Sequence, residues 1–369
     1  MWVDALEIYY VELPLIKPWR TAYGEDAEIH SVLVRMVSGE HEGWGEGTPF
    51  YAPTYSPECA ASAFFLLTEF FGPALVGREC GSAEELLGRL SIFKGNSFAK
   101  GALESAWWML EAKMRGQPLH HLLGGQTRDV VCGAGFGVQD SYDILVEKIQ
   151  SAVDAGFPRV KLKVRPGWDL EMLQAVRSTY PQLRLQIDCN AAYTLEDVPL
   201  FRAIDELDLV MIEQPLHHDD LVDHAELQKQ IRTPICLDES VKCVRHFETA
   251  LRLGSCQVLN IKYARVGGLS AAVRLHDLAQ EAGIPCWVGG MLESAIGAGI
   301  GIELATLPKF TYPNATFESR RFHSHDITEP TPRSTPKHTF SASTVSGTPY
   351  DPVMERVQAV TRKRARIQQ

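Results

Sequence analysis

No apolar run in the 369 residues is long enough to span a bilayer, and the N-terminus lacks a signal-peptide pattern, so a cytoplasmic protein is expected. Excess basic charge is also lacking. Lys and Arg total 36 against 46 Asp and Glu, and a net charge of -10 argues against nucleic acid or an anionic membrane as a general partner. The eight cysteines show no paired metal-ligand spacing, and three of them, Cys189, Cys236 and Cys286, fall in expected strands, so all are read as reduced thiols. What the chain has is length: more than one typical domain, enough for a barrel and a second unit.

It also has a repeat with chemistry attached. Between Arg159 and Arg265 five short apolar runs end in a polar side chain: RVKLKV in Lys163, LQID in Asp188, LVMIE in Glu213, PICLD in Asp238 and VLNIK in Lys262. The intervals are 25, 25, 25 and 24 residues. Each run has the composition of a buried parallel strand, and each is followed by about a dozen residues of helical pattern. A repeated βα unit of this size predicts a (β/α) barrel, whose site forms at the carboxyl ends of the strands. Alternation places Gln186, Asp188 and Asn190 on one face of their strand, directed into the barrel mouth.

Three carboxylates on consecutive strands, about 4.8 Å apart, raise one another's pKa unless a cation lies among them. Asp188, Glu213 and Asp238 are therefore candidate metal ligands. All-oxygen, all-carboxylate ligation favours a hard ion, Mg²⁺ first and Mn²⁺ second. Lys163 and Lys262 flank this triad. A lysine depressed by burial and neighbouring cations can serve as a base at neutral pH. The chemistry indicated is abstraction of the α-proton of a carboxylate substrate, with the metal holding the charge of the enediolate. Asn190 either orients substrate or makes a plain loop hydrogen bond. Glu239 alternates away from Asp238 and is a supporting or structural residue. Gly290, beside Gly289 and before Met291, offers bare backbone to a ligand or marks a tight turn. His217, His218 and the HSH of His323 to His325 lack partners at corresponding spacing and are read as loop residues.

The flanking segments divide the chain into an α+β unit over 1–125, a barrel over 126–322 and a C-terminal segment over 323–369. Three β-rich stretches, WVDALEIYYVELPL, IHSVLVRMV and EGWGEGTP, predict an antiparallel meander with Gly39 in a connection. Helical patterns follow over about 57–71 and 98–115. The first barrel strand is expected near Val131 to Val138 and the last near Ala315 to Arg321, giving a (β/α)7β TIM-like barrel, with the tail returning to the N-terminal unit. Thr328 to Pro349 reads as an extended connection. The basic RKRAR of Arg362 to Arg366 reads as a solvated, frayed helix end.

The set KLK at Lys161 to Lys163, DCN at Asp188 to Asn190, EQP at Glu213 to Pro215, DES at Asp238 to Ser240 and NIK at Asn260 to Lys262 resembles the enolase superfamily, muconate-lactonizing subgroup. A Lys base working with Mg²⁺ is the known chemistry of that superfamily. ELPLIKPWRTAYG, KVRPGWD, RVGGLSAA and GGMLESAIG narrow the likeness to o-succinylbenzoate synthases that overlap with N-succinylamino acid (N-acylamino acid) racemases. The resemblance covers most of the chain to about Asp326. It implies that the N-terminal unit caps the barrel and that two loops, Lys17 to Gly24 and about Pro49 to Tyr55, close over substrate, with Arg20, Tyr23 and Tyr51 as candidates. It further implies that Lys161 supports Lys163, that the substrate is a small-molecule carboxylate, and that the protein is a homo-oligomer.

For the synthase reaction, a dehydration in menaquinone synthesis, the resemblance implies Lys163 as base and then acid, with Lys262 stabilising the enediolate. For racemisation the two lysines would exchange protons on opposite faces. Muconate cycloisomerase-like and dipeptide epimerase activities are the alternatives; the latter group carries an Asp-x-Asp where this chain has TFESRRF, with Glu318 its only acid. A barrel kept as a non-enzymatic scaffold is disfavoured by the complete set of five residues. Sugar-acid dehydration needs a His that IPCWVGG lacks. The chain departs from the resembling pattern at Gly135, where a Ser is common, and at Ala191, Tyr263 and Ala315. These positions bear on the substrate and leave the reaction type alone.

Overall fold

A computed structural model describes all 369 residues of the chain. Three antiparallel strands, Ala5–Thr21, Gly24–Ser38 and His41–Gly47, open it. Alternate residues of the first strand feed two cores: Leu6 and Ile8 join the cap's own cluster, while Tyr9, Val11 and Leu13 join the cluster that runs through the barrel. The Ser97–Met114 helix lies on the third strand. A methyl at Gly43 or Gly45 would stand 2.2 Å from the carbonyl oxygen of Ala106 or Ala102. The alternating glycines of GWGEG therefore set how closely helix and sheet approach.

The expected loop at Lys17 to Gly24 is instead the end of this hairpin, with Trp19 opposite Asp26, Arg20 opposite Glu25, and a turn at Ala22 and Tyr23. The RKRAR tail is a second correction. Thr361–Gln368 is a strand, not a helix end, and it pairs antiparallel with the first strand from Val11 to Ala5. That strand would otherwise present an open edge of unpaired N–H and C=O groups. Charge reinforces the pairing: Arg364 lies 3.1 Å and Arg366 3.7 Å from the Glu7 carboxylate, and Arg362 pairs with Glu12. The C-terminal segment thus completes the cap.

The barrel has seven parallel strands in sequential order: Ala134–Phe136, Val160–Lys163, Leu185–Asp188, Met211–Glu213, Ile235–Leu237, Val258–Ile261 and Cys286–Val288. The first is shorter than its sequence suggests, because Asp129–Val131 pairs instead with Thr339–Ser341. The expected eighth strand over Ala315 to Arg321 is not formed; Ser319–Arg321 is a 3₁₀ turn. Closure falls to two residues. Asn314 N–H donates to Val131 O at 2.9 Å, Gly133 N–H to Asn314 O at 3.0 Å, and Ala315 N–H to Val288 O at 2.9 Å. The Asn314 side chain supplies the missing rung, accepting Val288 N–H at 2.7 Å. The Gly/Ala-rich stretch before it forms the Ala295–Leu304 helix, and no helix of the chain is long and apolar enough to cross a membrane.

Candidate active site

Strand register brings the repeat residues together. Asp188 lies opposite Lys163 on one neighbouring strand and Glu213 on the other. Glu213 lies opposite Cys236, so Asp238, two residues on, returns to the same face. All three carboxylates are fully buried.

Each is turned onto a cation. Asp188 Oδ2 accepts from Lys161 Nζ at 2.8 Å and Lys163 Nζ at 2.6 Å, Glu213 Oε2 accepts from Lys161 Nζ at 2.9 Å, and Asp238 Oδ2 accepts from Lys262 Nζ at 2.8 Å. Asp238 Oδ1 pairs with Arg265. Glu213 is further held by Gln186 Nε2 at 2.7 Å and Asn260 Nδ2 at 2.8 Å. Trp287 lies beneath, its ring centre 5.1 Å from Lys161 Nζ. The donor set fits a hard divalent cation: three carboxylates on adjacent strand ends and, one residue beyond Asp238, a buried Glu239 Oε2 with no hydrogen-bond partner.

The lysines differ electrostatically. Burial is the largest influence on Lys163 and lowers its pKa, with Lys161 and Lys262 adding to it against the pull of Asp188. Burial also acts against Lys262, but Tyr55, Glu239 and Glu213 together outweigh it, and its pKa stands above the ordinary range. Asp188 is opposed by burial too, yet Lys161 and Lys163 hold it well below the usual carboxylate range. Burial, with Asp188 beside it, pushes Glu239 up to about 7.

Lys161, Lys163, Lys262, Asn190, Gly290 and Met291 line one cavity. Asn190 bridges two groups, its Oδ1 accepting from Lys163 Nζ at 2.7 Å and its Nδ2 donating to Glu239 Oε1 at 2.9 Å. Glu239 thus reaches the site despite its alternation, because the strand ends at Leu237 and the strand pattern stops there. Gly289 and Gly290 have close neighbours: an added Cβ would lie 2.2 Å from Asn260 Oδ1 and 2.7 Å from Ala315 O, respectively.

The cap contributes Tyr23 to the cavity lining. Arg20 lies outside it, paired with Glu25 and Asp140. Tyr51 is 67% exposed and packs on His30 instead. The residue of the Pro49 to Tyr55 loop that reaches the chemistry is Tyr55, in place of Tyr51: its hydroxyl donates to Asp238 Oδ1 at 3.0 Å and accepts from Lys262 Nζ at 3.1 Å. Arg265 carries no signal in the sequence. It follows the last repeat lysine by three residues, and only the fold shows it turning back to Asp238. His323 accepts no such role, its ring lying against the carbonyls of Pro14 and Leu292.

Comparison with known proteins agrees with this arrangement. The Enolase C-terminal domain-like family matches residues 145–339, and the mandelate racemase / muconate lactonizing enzyme N-terminal domain matches residues 5–124. The chain is 41% identical over 329 residues to an N-succinylamino acid racemase of Thermus thermophilus, covering 89% of each protein. It is 39% identical over 329 residues to an o-succinylbenzoate synthase of Bacillus subtilis, covering 89% of this chain and 88% of that one. A crystal structure of an enolase-superfamily member from Listeria innocua has a TM-score of 0.95 at 35% identity, covering 100% of this chain and 99% of the other. On both domains and nearly its whole length, the chain belongs to the enolase superfamily.

Proposed function

We propose that this enzyme removes the α-proton of a carboxylate substrate with the help of a divalent cation, Mg²⁺ before Mn²⁺, and acts as an o-succinylbenzoate synthase, an N-succinylamino acid racemase, or both. The observation that carries the reading is the order of groups across the barrel: a lysine strand, three successive carboxylate strands, and a second lysine strand, with both lysines lining one cavity. Asp188, Glu213 and Asp238 would hold the cation, which when bound neutralises charge developing on the substrate carboxylate. Lys163 takes the α-proton. In dehydration it returns that proton to the departing hydroxyl while Lys262 remains an ammonium facing the enediolate; in racemisation Lys262 delivers a proton to the opposite face. Asn190 and Lys161 position Lys163, and Tyr55 positions Lys262.

The cavity wall favours acylated substrates over free amines. None of its lining residues is acidic, and the charged ones are all lysines, which would repel an ammonium group. Glu318, the one acid of TFESRRF, is engaged elsewhere, accepting from Ser334 N–H at 2.9 Å and Ser334 Oγ at 2.7 Å. This weighs against the dipeptide epimerase alternative.

The test is two assays on the purified protein with and without Mg²⁺: loss of diene absorbance from the o-succinylbenzoate precursor, and α-hydrogen exchange of N-succinylamino acids in D₂O followed by NMR. Metal-dependent turnover in either is expected. Absence of both, with the cation bound, would overturn the reading.

A further inference from the structure

A second cavity, of about 490 Å³, adjoins the catalytic one and shares Trp19 and Gly135 with it. Its wall carries four cations, Lys17, Arg20, Lys148 and Arg321, and a single acid, Asp140. Asp140 is already taken by Arg20, which Glu25 also engages. Lys17, Lys148 and Arg321 form no ion pair, and Lys148 feels the other two: after burial, the charges of Lys17 and Arg321 are what lower its pKa. Three like charges gathered around one hollow repel one another, and an anion placed among them removes that cost.

Arg321 is prepared for such a guest. Its guanidinium packs on the rings of Phe317, Phe136 and Phe322 at 5.4, 5.5 and 6.0 Å. Of its five N–H donors, the structure uses one group, donating to Gly135 O at 3.3 Å. A guanidinium held flat with free donors matches a carboxylate in two-point fashion.

Gly135 stands where the two cavities meet. A Cβ built on it would touch only Phe317 Cζ, at 3.4 Å, so the missing side chain leaves open space between the catalytic lysines and the three cations.

We propose that this basic cavity seats a second carboxylate of the substrate, carried at the far end of a short acyl arm that passes Gly135, with Arg321, Lys148 and Lys17 as its partners. The inference deepens the function proposed above and rests on it. A succinyl arm has this form in both candidate substrates, a four-carbon chain ending in a carboxylate, so one cavity would serve a dehydration and a racemisation alike.

The experiment compares N-succinylphenylalanine with N-acetylphenylalanine, which ends in a neutral methyl group, in the wild type and in Lys148→Met, Arg321→Met and the double Lys17→Met/Lys148→Met variant. The ratio of the two kcat/KM values, read from α-hydrogen exchange, should fall at least tenfold in each single variant and further in the double one. Lys17 and Lys148 lie on accessible elements, so their variants remain informative if Arg321→Met fails to fold. An unchanged ratio, or equal loss with both substrates, overturns the inference. If the wild type exchanges neither substrate, the proposed function fails on its own account, and calorimetry then judges the cavity. Tighter binding of the succinyl than of the acetyl compound, lost in Lys148→Met, would uphold it; equal affinities would overturn it.

Discussion

The carboxylate of Glu104, on the long helix of the cap, accepts the backbone N–H of Leu269, at the start of a barrel helix, at 2.6 Å. Ser270 N–H joins it at 2.8 Å and the Trp108 indole at 2.9 Å. The Leu269–Glu281 helix begins after Gly268, which has no side chain to cap it, so the cap domain supplies the acceptor and places its charge at the positive end of the helix. Gly268 is bound to this arrangement: its φ is +134°, and a Cβ there would lie 2.4 Å from Glu104 Oε2. Glu46 does the same for the Ala295–Leu304 helix, accepting Ser294 N–H at 3.1 Å and Gly297 N–H at 3.0 Å. Two buried acids thus fasten cap to barrel.

Glu104→Gln should destabilise the protein by about 1.5 to 3 kcal/mol, the cost of losing charge-assisted hydrogen bonds at a buried site. Urea unfolding of the variant against the wild type reads this directly. A change within about 0.5 kcal/mol, the usual range for surface substitutions, would mean the contact carries no stability.

Lys163→Ala and Lys262→Ala should each reduce turnover by a factor of about 100 or more, the usual contribution of a positioned acid or base, while calorimetry still detects Mg²⁺. Near wild-type rates in either variant would remove that lysine from the reaction.

Glu213→Gln replaces a carboxylate with a neutral amide between two other proposed ligands. Mg²⁺ affinity should fall at least about tenfold, since a hard cation gains most from anionic oxygen. An unchanged isotherm would place the cation elsewhere.

Glu293 gives a dependence on pH. Burial, the largest cause, pushes its carboxyl from 4.5 up to about 7. Between these values the folded protein keeps a proton that the unfolded chain has released, so stability falls as pH rises through the window. Glu239 titrates in the same range, so the informative quantity is the difference between wild type and Glu293→Gln. The variant should show a shallower decline between pH 4.5 and 7; identical slopes would assign the decline to other groups.

Features that repeat locally are legible in the chain before it folds. The 25-residue spacing from Lys163 to Asp238 and the alternation within LQID are properties of neighbouring residues, and strand pleat and barrel closure turn them into one face at one end of the barrel. The meander of the cap was legible for the same reason, its apolar stretches broken at Gly39. Tertiary structure decided the rest. Tyr55 meets Asp238 across 183 positions of chain and Glu104 meets Leu269 across 165; no local pattern encodes such a meeting. RKRAR has the composition of a solvated end, and it becomes a strand because the first cap strand offers an open edge with Glu7 and Glu12 beside it. The eighth barrel strand, expected over Ala315 to Arg321, shrinks to Asn314 and Ala315, because the Asn314 side chain supplies a rung that a strand's backbone would otherwise provide. Periodicity is written between neighbours, whereas a long-range contact exists only once folding has met the entropy of closing the intervening chain, and its partners carry no mark of one another beforehand.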